Sequence, residues 1–139
     1  MYLLDQTLDT PEKNIELDKQ LLQYSAEHNL APILRFWESP TYFVVLGLSN
    51  KPEVETYITR CKKDNIPILK RCSGGGTVLQ GPGCLNYALI LPMSYHNTLN
   101  DIKKTNCWIM TKNATALQPF VNDTIDVKGY TDLAINNIK

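Results

Sequence analysis

The chain has 139 residues, 43 % apolar and 20 % charged, which fits a packed core and excludes a disordered chain. Fourteen Lys and Arg balance fourteen Asp and Glu, so the composition makes no electrostatic case for nucleic acid or an anionic membrane as partner. No apolar run is long enough to span a bilayer, and Met1-Tyr2-Leu3-Leu4-Asp5 lacks the basic region and long apolar stretch of a secretory signal. A cytoplasmic protein with reduced thiols is expected. Cys61, Cys72, Cys84 and Cys107 include no Cys-x-x-Cys pair, and His28 and His96 stand far apart. No structural metal is therefore predicted. Two glycosylation sequons, at Asn113 and Asn122, are read as chance in a chain without a secretion signal.

In chain order, Thr10-Pro11-Glu12 predicts a helix start, with a capping hydroxyl, a proline at the first position and an acidic first turn. Leu17, Leu21 and Tyr24 form its apolar stripe, and Asn29 and Pro32 end it. Ile33 to Glu38 alternates apolar and polar residues as a half-buried strand does. Tyr42 to Gly47 is a second, more buried strand. Asn50 and Glu53 have capping-box spacing, and Val54, Tyr57, Ile58 and Cys61 predict one helical face after them. Ile68 to Arg71 reads as a short strand entering a glycine loop. Thr77 to Leu79 and Asn86 to Leu91 read as strands on either side of Gln80-Gly81-Pro82-Gly83. Thr98 and Asp101 are placed to cap a long helix with Leu99, Ile102, Ile109, Ala116 and Leu117 on its stripe. Ile125 to Val127 and Asp132 to Ile135 predict two strands joined by Lys128-Gly129-Tyr130. A following strand is the ordinary continuation, so the chain reads as incomplete. The alternation of helices and strands predicts an α/β domain of the α+β type, a mixed sheet with packed helices.

Ser73-Gly74-Gly75-Gly76 is the strongest local signal. Three successive glycines weaken any regular element, permit positive φ and let backbone approach a ligand closely. Successive N–H groups of such a loop can cradle a phosphate or carboxylate. Lys70 and Arg71 just before it supply positive charge for the same anion. The competing reading is a flexible hairpin loop beside a solvated basic pair. The loop is neither a Walker A loop, since no lysine follows the glycines at the required spacing, nor a dinucleotide fingerprint, since Leu79 holds the third glycine position.

Lys70-Arg71-Cys72-Ser73-Gly74-Gly75-Gly76-Thr77-Val78 resembles the Arg-Arg-x-Ser-Gly-Gly-Gly-Ala-Val loop of the lipoate–protein ligase A family, in the biotin/lipoate ligase superfamily. Asn14-Ile15-Glu16-Leu17-Asp18, Arg35-Phe36-Trp37-Glu38, Val44-Val45-Leu46-Gly47, Asn50 to Glu55, and Gly129 to Ile135 with Lys139 are similar to further motifs of that family, in the same order. The resemblance implies that residues 1–139 are the N-terminal portion of one ligase-like catalytic domain. It implies that lipoate and ATP, with Mg²⁺, give lipoyl-adenylate, and that the lipoyl group then passes to a lysine of an acceptor domain. Lys139 matches the family's catalytic lysine. Gly74, Gly75 and Gly76 match the positions that hold the adenylate, and Arg71 and Trp37 match positions near the lipoyl pocket. Lys70, Ser73, Thr77, Gln80, Asn86 and Asp132 complete the expected binding set.

Three departures qualify the match. Lys70 replaces the family's first arginine and loses its planar fork. Gln80-Gly81 replaces a histidine-aspartate pair, and Gln80-Gly81-Pro82-Gly83 is similar to the His-Gly-Pro-Gly of related octanoyltransferases. The family's catalytic domain continues well beyond its lysine, so a missing C-terminal half or a companion chain is expected to complete the site. An octanoyl or lipoyl transferase without ATP, and a non-catalytic module that binds an acyl ligand or a partner, are the alternative functions. Cys72 and Cys84 are read as packing residues rather than nucleophiles. His28 is read as a helix-end residue, His96 as a loop or cap residue, and Trp108 as a packing residue. Asp132 is read either as orienting Lys139 or as capping a turn.

Overall fold

A computed structural model describes residues 1–138. The chain divides into two compact units, Met1–Pro92 and a second beginning at Met93. The α/β class is confirmed. No helix among the described residues is long and apolar enough to cross a membrane.

The first unit holds two three-stranded sheets. In one, β1 (Tyr2–Asp5) pairs parallel to β2 (Ile33–Glu38), which pairs antiparallel to β6 (Leu85–Ile90). In the other, β3 (Phe43–Leu46) is central, parallel to β4 (Ile68–Lys70) and antiparallel to β5 (Val78–Gln80). The strand β1 was not foreseen. It has only four residues, and its pairing to β2 depends on a partner about thirty positions away, which local pattern does not carry.

Helix α1 (Pro11–His28) starts and stops as predicted. The Thr10 hydroxyl accepts from Lys13 N–H, and Asn29 closes the helix in the left-handed conformation with its N–H on the Ser25 carbonyl. His28 lies in the last turn, where its Nδ1 meets the Tyr24 carbonyl. The predicted stripe holds in part: Leu17 and Leu21 are half-buried, while Tyr24 is exposed and stacks on His28, and the fully buried residues are Pro11, Asn14 and Ser25. The reason lies in β2. Its inward residues are Ile33, Arg35 and Trp37, so the polar positions predicted to face water are partly reversed. Arg35 has no exposed side-chain surface.

Its guanidinium is met by α1 and the segment before it. Nη1 donates to the Asn14 carbonyl at 2.9 Å and to Asp18 Oδ1 at 2.5 Å. Nη2 donates to Asn14 Oδ1 at 2.6 Å and to the Gln6 carbonyl at 3.0 Å. Trp37 Nε1 donates to the other Asp18 oxygen at 3.2 Å, and the guanidinium lies 5.5 Å from the Trp37 ring centroid. Burial raises the Asp18 pKa, opposed by the hydrogen bond and charge of Arg35 and by the Trp37 N–H. Trp37 then stacks on Phe43, and with Val45, Ile15 and Leu69 forms a core that joins α1 to both sheets.

The single helix predicted from Asn50 is corrected to two short ones, α2 (Pro52–Glu55) and α3 (Ile58–Lys63). Thr56 turns to extended backbone and its hydroxyl donates to the Pro52 carbonyl at 2.8 Å, which closes α2 after one turn. Val54 and Tyr57 are consequently exposed rather than core.

In the second unit, Asp101 caps α4 (Ile102–Leu117) by accepting from Lys104 N–H. Thr98 instead belongs to a 3-10 turn capped by His96. Ile102 and Leu117 of the predicted stripe are exposed, and Met110 is the buried residue of the helix. Trp108 packs between His96 and Tyr95. The expected hairpin forms from β7 (Asp126–Lys128) and β8 (Asp132–Ala134). Leu117, Phe120, Val121, Leu133 and Ile138 line an apolar groove of about 500 Å³ in this unit.

Replacing Asp18 by Ala leaves the Arg35 charge buried without its carboxylate. The expected loss is about 3–5 kcal/mol of unfolding free energy, the usual cost of breaking a buried ion pair. Urea denaturation followed by tryptophan fluorescence measures it, and a loss below about 1 kcal/mol would show that the pair does not hold α1 to β2.

Candidate functional site

The glycine loop is built on the ends of β3 and β4. These strands run parallel with Leu46 opposite Lys70, so both chains leave the sheet at the same edge. Arg71 N–H donates to the Leu46 carbonyl at 3.0 Å, which extends the ladder by one step. Leu48 N–H then donates to the Ser73 carbonyl at 2.9 Å. Between these two bonds the backbones come too close for a side chain: a Cβ on Gly47 would stand 2.1 Å from the Gly75 carbonyl oxygen. Gly75 itself has φ +95°, and a Cβ there would meet Arg71 Nη2 at 2.8 Å.

The Arg71 side chain folds back over the loop. Nε and Nη2 donate to the Gly74 carbonyl at 3.1 and 2.7 Å, and Nη2 also donates to the Gly76 carbonyl at 2.9 Å. Burial lowers the Arg71 pKa from its ordinary value, and an arginine stays charged regardless. On the far side of the glycines, Asn50 Nδ2 donates to the Thr77 hydroxyl at 2.9 Å. The loop therefore has four anchors: Leu48 on Ser73, Gly47 under Gly75, Arg71 over Gly74 and Gly76, and Asn50 on Thr77.

The result is a sorting of polar groups. The carbonyls of Ser73, Gly74 and Gly76 are hydrogen-bonded to the protein and that of Gly75 abuts Gly47. The N–H groups of Gly74, Gly75 and Gly76 have no hydrogen-bond partner among the described residues. Residues 73 to 76 are exposed. Exposed, adjacent, unpaired amides with their carbonyls turned away are the composition of an anion-binding nest. The competing sequence reading, a flexible loop, does not account for the four anchors.

The other predicted residues take defined places in the fold, and Gln80 lies at the end of β3 away from the loop. Lys70 ends β4 and is exposed. Gln80 ends β5 opposite Phe43, on which Trp37 stacks. Asn86 lies opposite Trp37 in the β2–β6 ladder, and its Nδ2 donates to the Cys84 carbonyl. The Gln80 to Gly83 turn is fastened by Gly83 N–H donating to Glu38 Oε1 at 2.7 Å. Trp37 is 3 % exposed. Cys72 and Cys84 are half-buried free thiols. Asp132 begins β8, in the second unit. Lys139 lies outside the described residues. Gly47 and Asn50 were not among the expected site residues. Their signal was a glycine ending an apolar strand, a common mark of close backbone approach, and a short polar side chain following it.

The family model of the lipoyl protein ligase A/B catalytic domain matches residues 10–139. The chain belongs to this family. A putative lipoate-protein ligase A of Aeropyrum pernix is 34 % identical over 90 residues, 65 % of this chain and 33 % of the relative. A probable lipoate-protein ligase A of Mycoplasma genitalium is 25 % identical over 138 residues, 99 % of this chain and 39 % of the relative. An octanoyltransferase LipM of an Exiguobacterium species is 28 % identical over 93 residues, 67 % of this chain and 33 % of the relative. The fold is shared with a bipartite lipoate protein ligase described with its E2 lipoyl domain from Thermoplasma acidophilum. That likeness has a TM-score of 0.76 at 20 % identity, over 98 % of this chain and 51 % of the other. A lipoate-protein ligase A bound with ATP superposes with a TM-score of 0.72 at 22 % identity, over 96 % of this chain and 56 % of the other. The chain thus spans about a third to two-fifths of the curated relatives and just over half of these solved chains.

The Asn50–Thr77 strut can be tested by a double-mutant cycle. Asn50→Ala and Thr77→Val are each expected to lower unfolding free energy, with a coupling of about 0.5–1.5 kcal/mol, the net worth of one such hydrogen bond. Denaturant midpoints of the four proteins give the coupling, and purely additive losses would remove the strut.

Proposed function

We propose that the complete protein is an ATP-dependent lipoate–protein ligase and that residues 1–139 are the N-terminal portion of its single catalytic domain. The observation that carries this reading is the glycine loop, whose carbonyls are fastened inward while three successive amides stay unpaired. Adenylation needs such donors. The lipoate carboxylate attacks the α-phosphate of ATP, an acyl–phosphate bond forms, and pyrophosphate leaves with its electron pair. Fixed N–H groups stabilise the negative charge that gathers on the phosphate oxygens without reorganising. Gly74, Gly75 and Gly76 fill that role in our reading, flanked by Ser73 and Thr77. Lys70 is the adjacent exposed cation, and Trp37, Gln80 and Asn86 belong to the acyl side of the site. Lys139 is assigned to the acyl carbonyl and α-phosphate, with Asp132 near it in sequence.

In the second step the amine of an acceptor lysine attacks the acyl carbon and AMP leaves. A lipoyl-acceptor domain is therefore the expected partner, as the E2 lipoyl domain is for the bipartite ligase, and a C-terminal half or companion chain supplies the remaining walls. No group of three or more His, Cys, Asp or Glu side chains that could hold a metal occurs among the described residues. Mg²⁺ is assigned in this reading to the ATP phosphates as co-substrate, where its charge offsets theirs. The four free cysteines fit the cytoplasm.

The second reading is an octanoyl or lipoyl transferase, favoured by Gln80-Gly81-Pro82-Gly83 and by the likeness to LipM. It takes its acyl group from a carrier and releases no pyrophosphate. The third, a non-catalytic acyl-binding or partner-binding module, predicts binding of lipoate without turnover.

The deciding measurement is pyrophosphate release by the complete encoded protein, with lipoate and ATP supplied together and separately. Release only with both is expected, and Lys139→Ala is expected to abolish it. No release from the folded complete protein sinks the ligase reading, and transfer from an acyl carrier without ATP establishes the second. Undiminished release by Lys139→Ala would remove that lysine's role.

A further inference from the structure

Arg71 stands beside the glycine loop, where a cation is ordinarily read as a contact to the bound anion. Its geometry is different. Nε and Nη2 are both committed to the loop's own carbonyls, at 3.1, 2.7 and 2.9 Å. The guanidinium closes a ring over the loop, bridging the Gly74 and Gly76 carbonyls across the intervening Gly75. Below Gly75 the backbone of Gly47 leaves no room to retreat. Lys70, one residue earlier and exposed, is the cation free to approach a ligand.

We infer that Arg71 is a positioning residue: by holding the Gly74 and Gly76 carbonyls inward against the Gly47 seat, it selects the loop conformation in which the amides are offered to the ligand. The inference deepens the adenylate-loop reading and rests on it for the identity of the ligand. Three glycines in succession have the largest backbone entropy to lose, and an unrestrained loop would lose it on binding. The clasp removes that cost in the free protein. The positive charge on the Gly74 carbonyl oxygen also polarises that peptide and strengthens its N–H, that of Gly75, as a donor. Lysine cannot substitute, because one ammonium lacks the planar fork that spans two carbonyls from a fixed position.

The test uses the complete encoded protein labelled with ¹⁵N-glycine, as wild type, Arg71→Lys, Arg71→Gln and Gly47→Ala. The probe is a non-hydrolysable sulfamoyl analogue of lipoyl-adenylate. In the ligand-free protein, Arg71→Lys and Arg71→Gln are expected to move the Gly74, Gly75 and Gly76 amide resonances toward unstructured positions, while dispersion elsewhere is kept. Gly47→Ala leaves the charge in place and is expected to displace the same resonances, so the clasp stays testable where an Arg71 variant folds poorly. Analogue affinity is expected to fall about 10- to 100-fold in both Arg71 variants, the loss typical of a charge-assisted hydrogen-bonded anchor. The inference is overturned if Arg71→Lys keeps the wild-type glycine resonances, or if lysine restores analogue affinity to within about threefold of wild type, as a simple charge contact would. Failure of the wild-type protein to bind the analogue would overturn the adenylate reading instead. The ligand-free spectra decide the clasp in either case.

Discussion

Arg35 carries its charge into the interior of the first unit, with no side-chain surface left to water. Burying an ion costs several kcal/mol unless its donors are met, so the chain around it has little freedom. Asn14 meets it with both its side-chain and backbone oxygens, Asp18 supplies the opposing charge, and Gln6 supplies a carbonyl from the segment before α1. Those partners fix the rotation of α1 over β2 and the path of the N-terminal segment at once. Asp18 also takes the Trp37 N–H, which orients the ring that packs on Phe43. One charge thus sets helix, strand and core in a common frame.

The glycine loop depends on that frame through β3. Phe43 and Val45 are seated in the core with Trp37, and Leu46 at the strand's end is 1 % exposed. The strand is therefore not free to shift when β4 pairs alongside it. Gly47 follows immediately, at the position where the returning chain must cross within contact of Gly75. The loop is shaped by rigid backbone below and by Arg71 above. Function in this reading comes from which peptide groups are used internally and which are left unpaired, more than from any one catalytic side chain of the first unit.

Membership of the lipoyl protein ligase A/B family gives this geometry its chemical context, and the departures from the ligase pattern keep the transferase in view. The loop suits either reading, since both reactions gather negative charge on oxygens, those of the α-phosphate in adenylation and that of the tetrahedral acyl centre in transfer. What separates them is whether a nucleotide phosphate is the group that leaves. Gln80 and Gly81 stand where the ligase pattern has histidine and aspartate. Gln80 is set opposite Phe43 at the end of β5, and the turn after it is pinned to Glu38, so this difference lies in an ordered part of the first unit.

Much of this was legible in the sequence. Thr10-Pro11 and Asn29 marked both ends of α1 because capping is local chemistry. The strands entering and leaving the glycine loop, and the hairpin of β7 and β8, followed from residue type and turn chemistry. The triple glycine marked a close-approach loop, and the ordered motifs around it marked the family. Local pattern could not show that Arg35 points inward, since a charged residue in an alternating strand reads as solvent-facing until its partners on α1 are known. Nor could it divide the residue 52–63 region into two helices, because Thr56 closes α2 with a side-chain bond to the Pro52 carbonyl that a helical wheel does not include. The sequence by itself determined that backbone amides could meet an anion at residues 73 to 76. Only the tertiary structure decided which groups are left available, because contacts from Gly47, Leu48 and Arg71 occupy the carbonyls and leave the amides unpaired.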